Sequence, residues 1–211
     1  AGVPVIPGID DEAVLGDAAA LRTAAARIGV PLLVKARAGG GGKGMRRVDD
    51  LAALPAAVAA ASSEARGAFG DQRVYVERAL EHVRHVEVQI LRDRQGEAVA
   101  LGERECSVQR RHQKLIEESP SPAVDPGLRI RLLEAAIRVA HASRYEGAGT
   151  VEFLLARDGQ FHFIEVNARL QVEHPVTEMV TGVDLVAEQF RIASGAPLSA
   201  AARAATPRGH A

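Results

Sequence analysis

The sequence predicts an α+β fold, in which helices and strands alternate early in the chain and strands become more frequent after residue 69. An Ala-rich stretch from 18 to 28 lies between Asp17, a favourable N-cap residue, and Gly29, which suits the left-handed position after a helix. Three segments between 73 and 104 alternate apolar and polar side chains, as half-buried strands do. A long helical stretch from 126 to 145 then precedes a hairpin-like pair of strands around Asp158 and Gly159.

The remaining elements follow in chain order. A short buried strand is expected at 31–36, followed by a glycine loop at 39–44 and a strand that begins at Met45. A second helix is expected from about 49–50 to 69, despite Pro55 near its start. Later strands are expected at 73–77, 85–91, 98–104, 150–155 and 160–167, with a turn at 93–96. A loop at 170–174, a helix that starts after Pro175, a last helix at 184–194 and a mobile tail complete the chain.

Composition and charge narrow the class of protein. The 211 residues are 47% hydrophobic and 25% charged, with a formal net charge of −1. These values are typical of a soluble globular protein and give no case for binding nucleic acid or an anionic membrane. The single cysteine, Cys106, excludes an intramolecular disulfide, and no apolar run approaches the roughly 18 residues of a membrane helix, so a cytoplasmic protein is expected. The chain opens at Ala1 without an initiator methionine and breaks off soon after a helix, as expected for an internal piece of a longer polypeptide.

The first segment that carries chemistry is the glycine-rich run from Val34 to Met45, VKARAGGGGKGM. Consecutive glycines let backbone N–H groups approach phosphate oxygens, and a nearby lysine supplies positive charge. The spacing also fits G-x-G-x-x-G, but a strand rather than a helix follows, and the Gly-Lys-Ser/Thr of a P-loop is missing. Phosphate binding is favoured, with a flexible hairpin turn as the alternative.

Two predicted strands bring acidic side chains together. Glu152 lies inside an apolar strand, where an unpaired carboxylate would be costly to bury. Period-two geometry puts several side chains on one face of the next strand, namely Phe161, Phe163, Glu165, Asn167 and Arg169. Two carboxylates and an amide oxygen suit a hard cation such as Mg²⁺ that bridges nucleotide phosphates. The alternative is a structural network in which the acids pair with Arg169, Arg157 or other bases.

Two polar runs indicate anion chemistry. The segment 105–114, ECSVQRRHQK, concentrates cations and hydrogen-bond donors outside a helix, which fits either anion handling or a solvated basic loop. Within it, Cys106 is expected to be a small buried side chain, and the histidines lack a zinc-ligand spacing. The segment 167–178, NARLQVEHPVTE, follows directly on the strand that carries Glu165. Its convergence of opposite charges is typical of a reaction centre, with a salt-bridged loop as the alternative.

Taken in order, these segments resemble the biotin carboxylase family, the ATP-grasp component of acetyl-, propionyl-, methylcrotonyl- and pyruvate carboxylases. The runs that carry the resemblance are GGGGKGM (39–45), RHVEVQ (84–89), ECSVQRRHQK (105–114), GAGTVEF (147–153) and NARLQVEHPVTEM (167–179), and they span nearly the whole chain. The resemblance implies an ATP-grasp fold. A small lid lobe at 1–77 would hold the glycine-rich loop, and part of a larger lobe at 78–211 would hold the metal and bicarbonate sites.

The resemblance also implies roles for individual residues. The residues expected to bind ATP are Lys35, Gly40, Gly41, Gly42, Met45, Glu77, Leu80, His85, Gln109, His112, Glu152 and Glu165. Those expected to hold Mg²⁺ or Mn²⁺ are Glu152, Glu165 and Asn167, with Glu87 as an outer partner. Those expected to bind bicarbonate are Lys114, Arg169, Gln171 and the backbone of Val172. Glu173 resembles the base that activates bicarbonate, so the expected catalytic residues are Lys114, Arg169 and Glu173.

The activity implied by the resemblance is the ATP-dependent carboxylation of biotin on a carrier protein, with bicarbonate as the carbon source and carboxyphosphate as the intermediate. The implied partners are a biotin carboxyl carrier domain and a carboxyltransferase component, and the complete domain is expected to form a homodimer. Asn-Ala-Arg at 167–169 and His-Pro at 174–175 favour an acyl-CoA carboxylase, because pyruvate carboxylases often carry Asn-Pro-Arg and His-Thr there.

The chain also departs from the family pattern. The hinge reads Glu-Arg-Ala-Leu at 77–80, where many relatives have lysine after the glutamate. A further ATP-contacting lysine of the family precedes Ala1 and an arginine that stabilises the biotin enolate lies beyond Ala211, so the chain is not expected to carboxylate biotin alone. Two alternatives are another ATP-grasp ligase that forms a different acyl phosphate, such as carbamoyl phosphate, and a non-catalytic piece that binds nucleotide. The QVEHPVTE and RRHQK runs argue against the first, and the intact set of reactive residues argues against the second for the parent protein.

Overall fold

The computed structural model describes residues 1–39, 44–111 and 113–211. It contains two compact units. The small unit comprises Ile6–Glu81 with Arg111–Gln113, and the large unit comprises Ala1–Val5, His82–Arg110 and Lys114–Ala211. Each unit has its own β-sheet and its own helices, which confirms the predicted α+β class.

The small unit is a four-stranded sheet with helices. Its elements are β1 (Gly8–Ile9), α1 (Glu12–Gly16), α2 (Ala18–Ile28), β2 (Leu32–Ala36), β3 (Met45–Val48), a 3₁₀ turn (Leu51–Ala53), α3 (Leu54–Phe69) and β4 (Val74–Arg78). The strand order is β1-β4-β2-β3, and all three strand pairs are antiparallel. Asp17 caps α2 as predicted, because its carboxylate accepts hydrogen bonds from the backbone N–H groups of Ala19 and Ala20 at 2.8 and 3.0 Å. Buried side chains of α2, α3 and the strands form the core of this unit.

The large unit is built on a five-stranded sheet. Its elements are β5 (Arg84–Arg92), β6 (Ala98–Arg110), β7 (Gln113–Glu118), α4 (Pro126–Ser143), β8 (Gly147–Leu155), β9 (Phe161–Asn167), α5 (His174–Thr181), α6 (Leu185–Ala193) and α7 (Ala200–Ala204). The strand order is β7-β6-β5-β8-β9. The basic run 105–114 therefore continues β6 and enters β7, rather than forming one open loop.

The two faces of this sheet carry different side chains because neighbouring residues of a strand point to opposite sides. One face packs against α4 and includes Val86, Val88, Val151 and Phe153. On the other face, part of the surface is apolar and packs in a cluster with residues of α6 and α7. The rest of that face is buried and polar, with Glu87 opposite Arg104 on β6 and opposite Glu152 on β8.

A β-bulge in β9 overturns the prediction that its phenylalanines share a face with its acid and amide. Glu165 pairs with Glu152 and Phe163 pairs with Phe153, so Ile164 is an extra residue without a partner on β8. The extra residue reverses the alternation. Phe163 packs in the core under α4, whereas Glu165 lies on the polar face beside Glu152.

The tail after residue 194 is packed, which contradicts the expectation that it is mobile. Residues 200–204 form α7, and Leu198 and Ala202 are buried in the apolar cluster with α6. The backbone of Ala211 exchanges two 3.0 Å hydrogen bonds with Ser119. Alanine-rich composition suggested low order, but alanine favours helix and fits closely against a sheet. Among the described residues, no helix combines the length and the apolar character that crossing a membrane requires.

Candidate active site

The candidate site lies on the polar face of the large unit, and strand register assembles it. β5 is the central strand, so Glu87 has Arg104 on one side and Glu152 on the other. β8 carries Glu152 next to β9, where Glu165 is its direct neighbour. Lys114 enters from β7, and the loop between β9 and α5 brings Gln171 and Glu173 to the same place.

Lys114 is the cation at the centre of the site. Its ammonium lies 2.5 Å from Glu173 Oε1 and 3.1 Å from Glu152 Oε1, and it also contacts Glu87 Oε2. The Glu87 side chain is fully buried, and those of Glu152 and Glu173 are each 8% exposed. Three carboxylates from separate elements therefore converge on one ammonium, which compensates part of their charge.

Burial and pairing shift the protonation equilibria of this cluster in a consistent way. Burial disfavours the charged form of Lys114, but the carboxylates of Glu87 and Glu152 outweigh it and raise the pKa of Lys114 above its ordinary value. Burial also opposes ionisation of Glu152, but contacts with His85 and Lys114 prevail and lower the pKa of Glu152 to about 2. The pKa of Glu173 is likewise lowered, because the hydrogen bond from Lys114 outweighs burial. These three groups are thus held in their charged forms near neutral pH.

Arg104 is a buried hub that sequence reasoning missed. Its guanidinium is fully buried and donates 2.7 Å to Glu87 Oε1 and 2.8 Å to Gln89 Oε1. Further hydrogen bonds reach Thr177 on α5, Thr150 on β8 and Gln171 in the loop. The signal available in the sequence was the run Glu-Arg-Glu at 103–105. Glu103 and Arg104 end the strand predicted at 98–104, and neighbouring residues of a strand point to opposite faces, so a buried strand must pair at least one of these charges inside the protein.

The loop after β9 separates its predicted residues into buried and exposed ones. Gln171 is buried and donates from Nε2 to Glu152 Oε1 at 3.1 Å. Asn167 donates from Nδ2 to the same oxygen at 2.9 Å. Arg169 is exposed, with Nη2 3.4 Å from Asn167 Oδ1, and Val172 is 91% exposed. The structure therefore places Gln171 and Glu173 in the cluster, with Arg169 and the Val172 backbone at its solvent side.

The acid and amide oxygens of this region fit a hard divalent cation. Glu152 and Asn167 are in direct contact, and Glu165 is the neighbour of Glu152 across the strands. Carboxylate and amide oxygens are the ligands that Mg²⁺ and Mn²⁺ prefer. Among the described acids, cysteines and histidines, two other groups have ligand atoms within 4.8 Å of one another, and neither includes Glu165: they are His85 with Glu87 and Glu152, and Glu87 with Cys106 and Glu173.

His85 lies beside Glu152, and Gln109 contacts His85. Gln109 Nε2 is 2.7 Å from His85 Nδ1, and it also donates to the carbonyl of Cys106. His85 Nε2 is 2.8 Å from Glu152 Oε2, although the alignment of the two groups is not that of a hydrogen bond. Cys106 is buried, as predicted, and burial raises the pKa of its thiol, so it is not a ready nucleophile.

Four of the predicted ATP ligands lie in the small unit. Lys35 on β2 forms a 3.1 Å ion pair with Glu77 on β4, and its ammonium lies 5.4 Å from the centre of the Tyr75 ring. Met45 opens β3, and Leu80 follows β4; both are partly buried. The other expected ligands of this kind, Gly40, Gly41, Gly42 and His112, lie outside the described residues.

Comparison with known proteins identifies the family. Residues 1–201 match the family described as "Carbamoyl-phosphate synthase L chain, ATP binding domain". The chain is 50% identical over 211 residues to biotin carboxylase 2 of Bacillus subtilis, covering all of this chain and 47% of that protein. It is 51% identical over 198 residues to pyruvate carboxylase 1 of Caenorhabditis elegans, covering 94% of this chain and 17% of that protein. The chain thus spans less than half the length of these curated relatives.

Solved structures agree with the sequence comparison. The biotin carboxylase domain dimer of the Hydrogenobacter thermophilus 2-oxoglutarate carboxylase, in complex with MgADP, ADP and bicarbonate, superimposes with a TM-score of 0.91 at 42% identity. The match covers 99% of this chain and 46% of that chain. With an ATP-grasp fold and a family match over 201 of 211 residues, the chain belongs to the carbamoyl-phosphate synthase L chain ATP-binding domain family, and it is similar along its whole length to part of the biotin carboxylases.

Proposed function

We propose that this chain supplies the Mg·ATP- and bicarbonate-binding part of a biotin carboxylase, which carboxylates biotin on a carrier protein by way of carboxyphosphate. The single observation that carries the proposal is the ammonium of Lys114 between the carboxylates of Glu152 and Glu173. One of these carboxylates belongs to the group suited to a cation, and the other belongs to the loop suited to bicarbonate. Lys114 therefore stands where negative charge from both substrates would meet.

Glu173 acts as the base in this proposal. Its lowered pKa keeps it as a carboxylate that can accept the bicarbonate proton. Bicarbonate binds through Lys114, the Arg169 guanidinium and the Gln171 amide, with the Val172 backbone beside them. A guanidinium at the exposed side of the loop can hold a planar oxyanion through two hydrogen bonds. The activated bicarbonate oxygen then attacks the γ-phosphorus of ATP, and the bond from that phosphorus to the β,γ-bridging oxygen breaks with ADP as the leaving group. Lys114 offsets the charge of the transferring group.

Nucleotide and metal complete the proposed site. Glu152, Glu165 and Asn167 would hold Mg²⁺ or Mn²⁺, which would neutralise negative charge on the nucleotide phosphates. The residues assigned to ATP are Lys35, Gly40, Gly41, Gly42, Met45, Glu77, Leu80, His85, Gln109, His112, Glu152 and Glu165. In this assignment residues 1–77 are the lid and residues 78–211 carry the reaction centre.

The parent protein is proposed to work with a biotin carboxyl carrier domain and a carboxyltransferase component, in the cytoplasm. A homodimer is supported by the dimeric state named for the Hydrogenobacter domain. We propose an acyl-CoA as the final acceptor of the carboxyl group. This choice rests only on the presence of Ala168 and Pro175 at their positions. Carboxylation of pyruvate, rather than an acyl-CoA, by the reconstituted enzyme would contradict that choice.

Phosphate release from ATP by the full-length protein tests the function, with bicarbonate and free biotin each added or withheld. Release should require bicarbonate and rise with biotin. Glu173→Gln should lower the bicarbonate-dependent rate by about a hundredfold or more, because the base is lost without a change in size. The matched control is Glu178→Gln, since Glu178 lies on α5 and accepts a hydrogen bond from the Leu185 N–H instead of joining the cluster. Phosphate release that is indifferent to bicarbonate and biotin would reject the proposal, and release that requires ammonia would favour a carbamoyl-phosphate-forming ligase.

A further inference from the structure

Arg104 uses every hydrogen-bond donor that an arginine has. A guanidinium carries five N–H groups. Nε donates to Glu87, Nη1 donates to Gln89 and Thr177 at 2.8 Å each, and Nη2 donates to Thr150 at 3.3 Å and to Gln171 at 3.1 Å. The partners lie on β5, β8, α5 and the loop between β9 and α5, so one side chain ties four separate elements of the large unit together.

These hydrogen bonds decide which way the neighbouring groups face. Arginine can only donate, so the atom of Gln171 that faces it must be the carbonyl oxygen Oε1. The amide nitrogen of Gln171 is thereby turned to Glu152 Oε1, 3.1 Å away. In the same way, Arg104 takes Oε1 of Glu87 and leaves Oε2 for Lys114. A side chain with fewer donors in another geometry would leave Gln171 free to rotate its amide by half a turn.

We propose that Arg104 is a positioning residue for bicarbonate binding, which orients the Gln171 amide and, through Glu87, the Lys114 ammonium. The inference rests on the proposed function, because Gln171 and Lys114 are bicarbonate ligands only in that assignment. Arg104 itself is fully buried behind these groups, so it acts through them and not on the substrate.

A second arginine of the same unit provides a comparison. Arg129 on α4 binds Glu103 through three contacts of 2.8 to 3.0 Å, so it also pairs with a buried carboxylate. This pair contacts neither Lys114 nor the loop residue Gln171, and it lies on the face of the sheet that packs against α4. Replacing either arginine with lysine keeps the charge and loses the planar fork. Only the substitution at Arg104 should raise the KM for bicarbonate.

Steady-state kinetics of the full-length protein test the inference. Arg104→Lys should raise the KM for bicarbonate by about tenfold, as expected for the loss of a hydrogen bond to a buried polar group, while the KM for ATP changes by less than about twofold. Thr177→Val removes one hydrogen bond from the guanidinium and should shift the bicarbonate KM in the same direction by less. The controls Arg129→Lys and Thr181→Val should leave the ratio of the two KM values unchanged. Thr181 lies on the same helix and hydrogen-bonds to the carbonyl of Thr177.

Equal changes in both KM values, or equal effects of the control variants, would overturn the proposal. If Arg104→Lys does not fold, an unchanged bicarbonate KM in Thr177→Val would overturn it as well. A crystal structure of Arg104→Lys supplies a readout that does not depend on activity. The proposal expects the Gln171 amide to lie more than about 3.5 Å from Glu152 and fails if that contact is kept. Phosphate release by the wild type that does not depend on bicarbonate would refute the proposed function. The distance between the Gln171 amide and Glu152 in the Arg104→Lys structure would still decide whether Arg104 orients Gln171.

Discussion

Replacing Lys114 with methionine should reverse the way in which the stability of the large unit depends on pH. In the wild type, contacts with His85 and Lys114 outweigh burial and lower the pKa of Glu152 to about 2. This carboxylate therefore stabilises the folded state in full above its ordinary pKa of about 4.5, and the contribution is lost as the pH falls from there towards 2. Methionine has a similar length and no charge. It leaves the carboxylates of Glu87 and Glu173 facing each other without the ammonium between them.

The magnitude follows from their separation. The ligand atoms of Glu87 and Glu173 lie within 4.8 Å of each other, as do those of Glu87 and Glu152. Two charges at that distance repel by about 3.5 kcal/mol at an effective dielectric constant of about 20. One carboxylate should therefore hold its proton to a pH about two to three units above its ordinary pKa. A folded-state pKa above the unfolded value gives stability that is present below about pH 4.5 and lost as the pH rises through about 7.

Urea unfolding at pH 5, 6, 7 and 8, in EDTA to exclude divalent cations, measures the effect. The free energy of unfolding of Lys114→Met should rise by about 2–3 kcal/mol from pH 8 to pH 5, relative to the wild type. The double variant Lys114→Met with Glu173→Gln removes one repelling pair and should show about half of that rise. A Lys114→Met variant whose stability is flat or falls towards pH 5 would refute this account of the cluster.

Other perturbations test the core and the sheet. Phe153→Ala should lower the free energy of unfolding by about 3–5 kcal/mol, because Phe153 is fully buried, whereas Phe190→Ala, at a side chain 75% exposed, should change it by less than about 0.5 kcal/mol in urea titrations. Gly149→Ala should cost about 1–3 kcal/mol by thermal unfolding, since its new Cβ would lie 2.7 Å from the Tyr145 ring; a neutral effect would contradict this packing. Burial raises the pKa of Tyr145, so in Tyr75→Phe, which leaves it as the only tyrosine, absorbance at about 295 nm should titrate above about pH 10. That raised value also means that the stability due to Tyr145 is lost as the pH rises through it, and a midpoint below about 10 would contradict the burial of the ring.

The elements of the fold were largely accessible from the sequence because local signals specify them. Asp17 and Gly29 bound α2, and alternating side chains predicted β5 within one residue at each end. The hairpin signal around Asp158 and Gly159 predicted β8, with a start three residues late. The prediction of the faces of β9 from period-two alternation was wrong, because a bulge is set by pairing with the partner strand. Isoleucine is common in ordinary strands, so Ile164 gave no signal of a bulge in the sequence. The packed tail was missed for a similar reason, because burial of Leu198 depends on distant parts of the chain.

The site was predictable where chemistry is concentrated in one segment. Glu173 and Lys114 stood out in polar runs, and the structure brings them into contact. Arg104 did not stand out, because its importance comes from five partners scattered between residues 87 and 177. No local pattern can reveal that convergence. The roles assigned to Lys114 and Glu173 stay predictions, as do those of Arg169 and Val172, which are both exposed to solvent.

The unpaired Ile164 makes the candidate site tolerant of a change in chain length at this one position. Removing this residue would bring β9 into uninterrupted alternation with β8, because Phe163 and Glu165 would become direct neighbours. Phe163 would stay under α4, and Glu165 and Asn167 would keep their partners on β8 and stay on the polar face. Removing Val166 instead would take away a residue that has a partner on β8, and Asn167 would then turn towards α4. Within this family, a missing residue is therefore expected to be compatible with the arrangement of the acids at Ile164 and not at Val166.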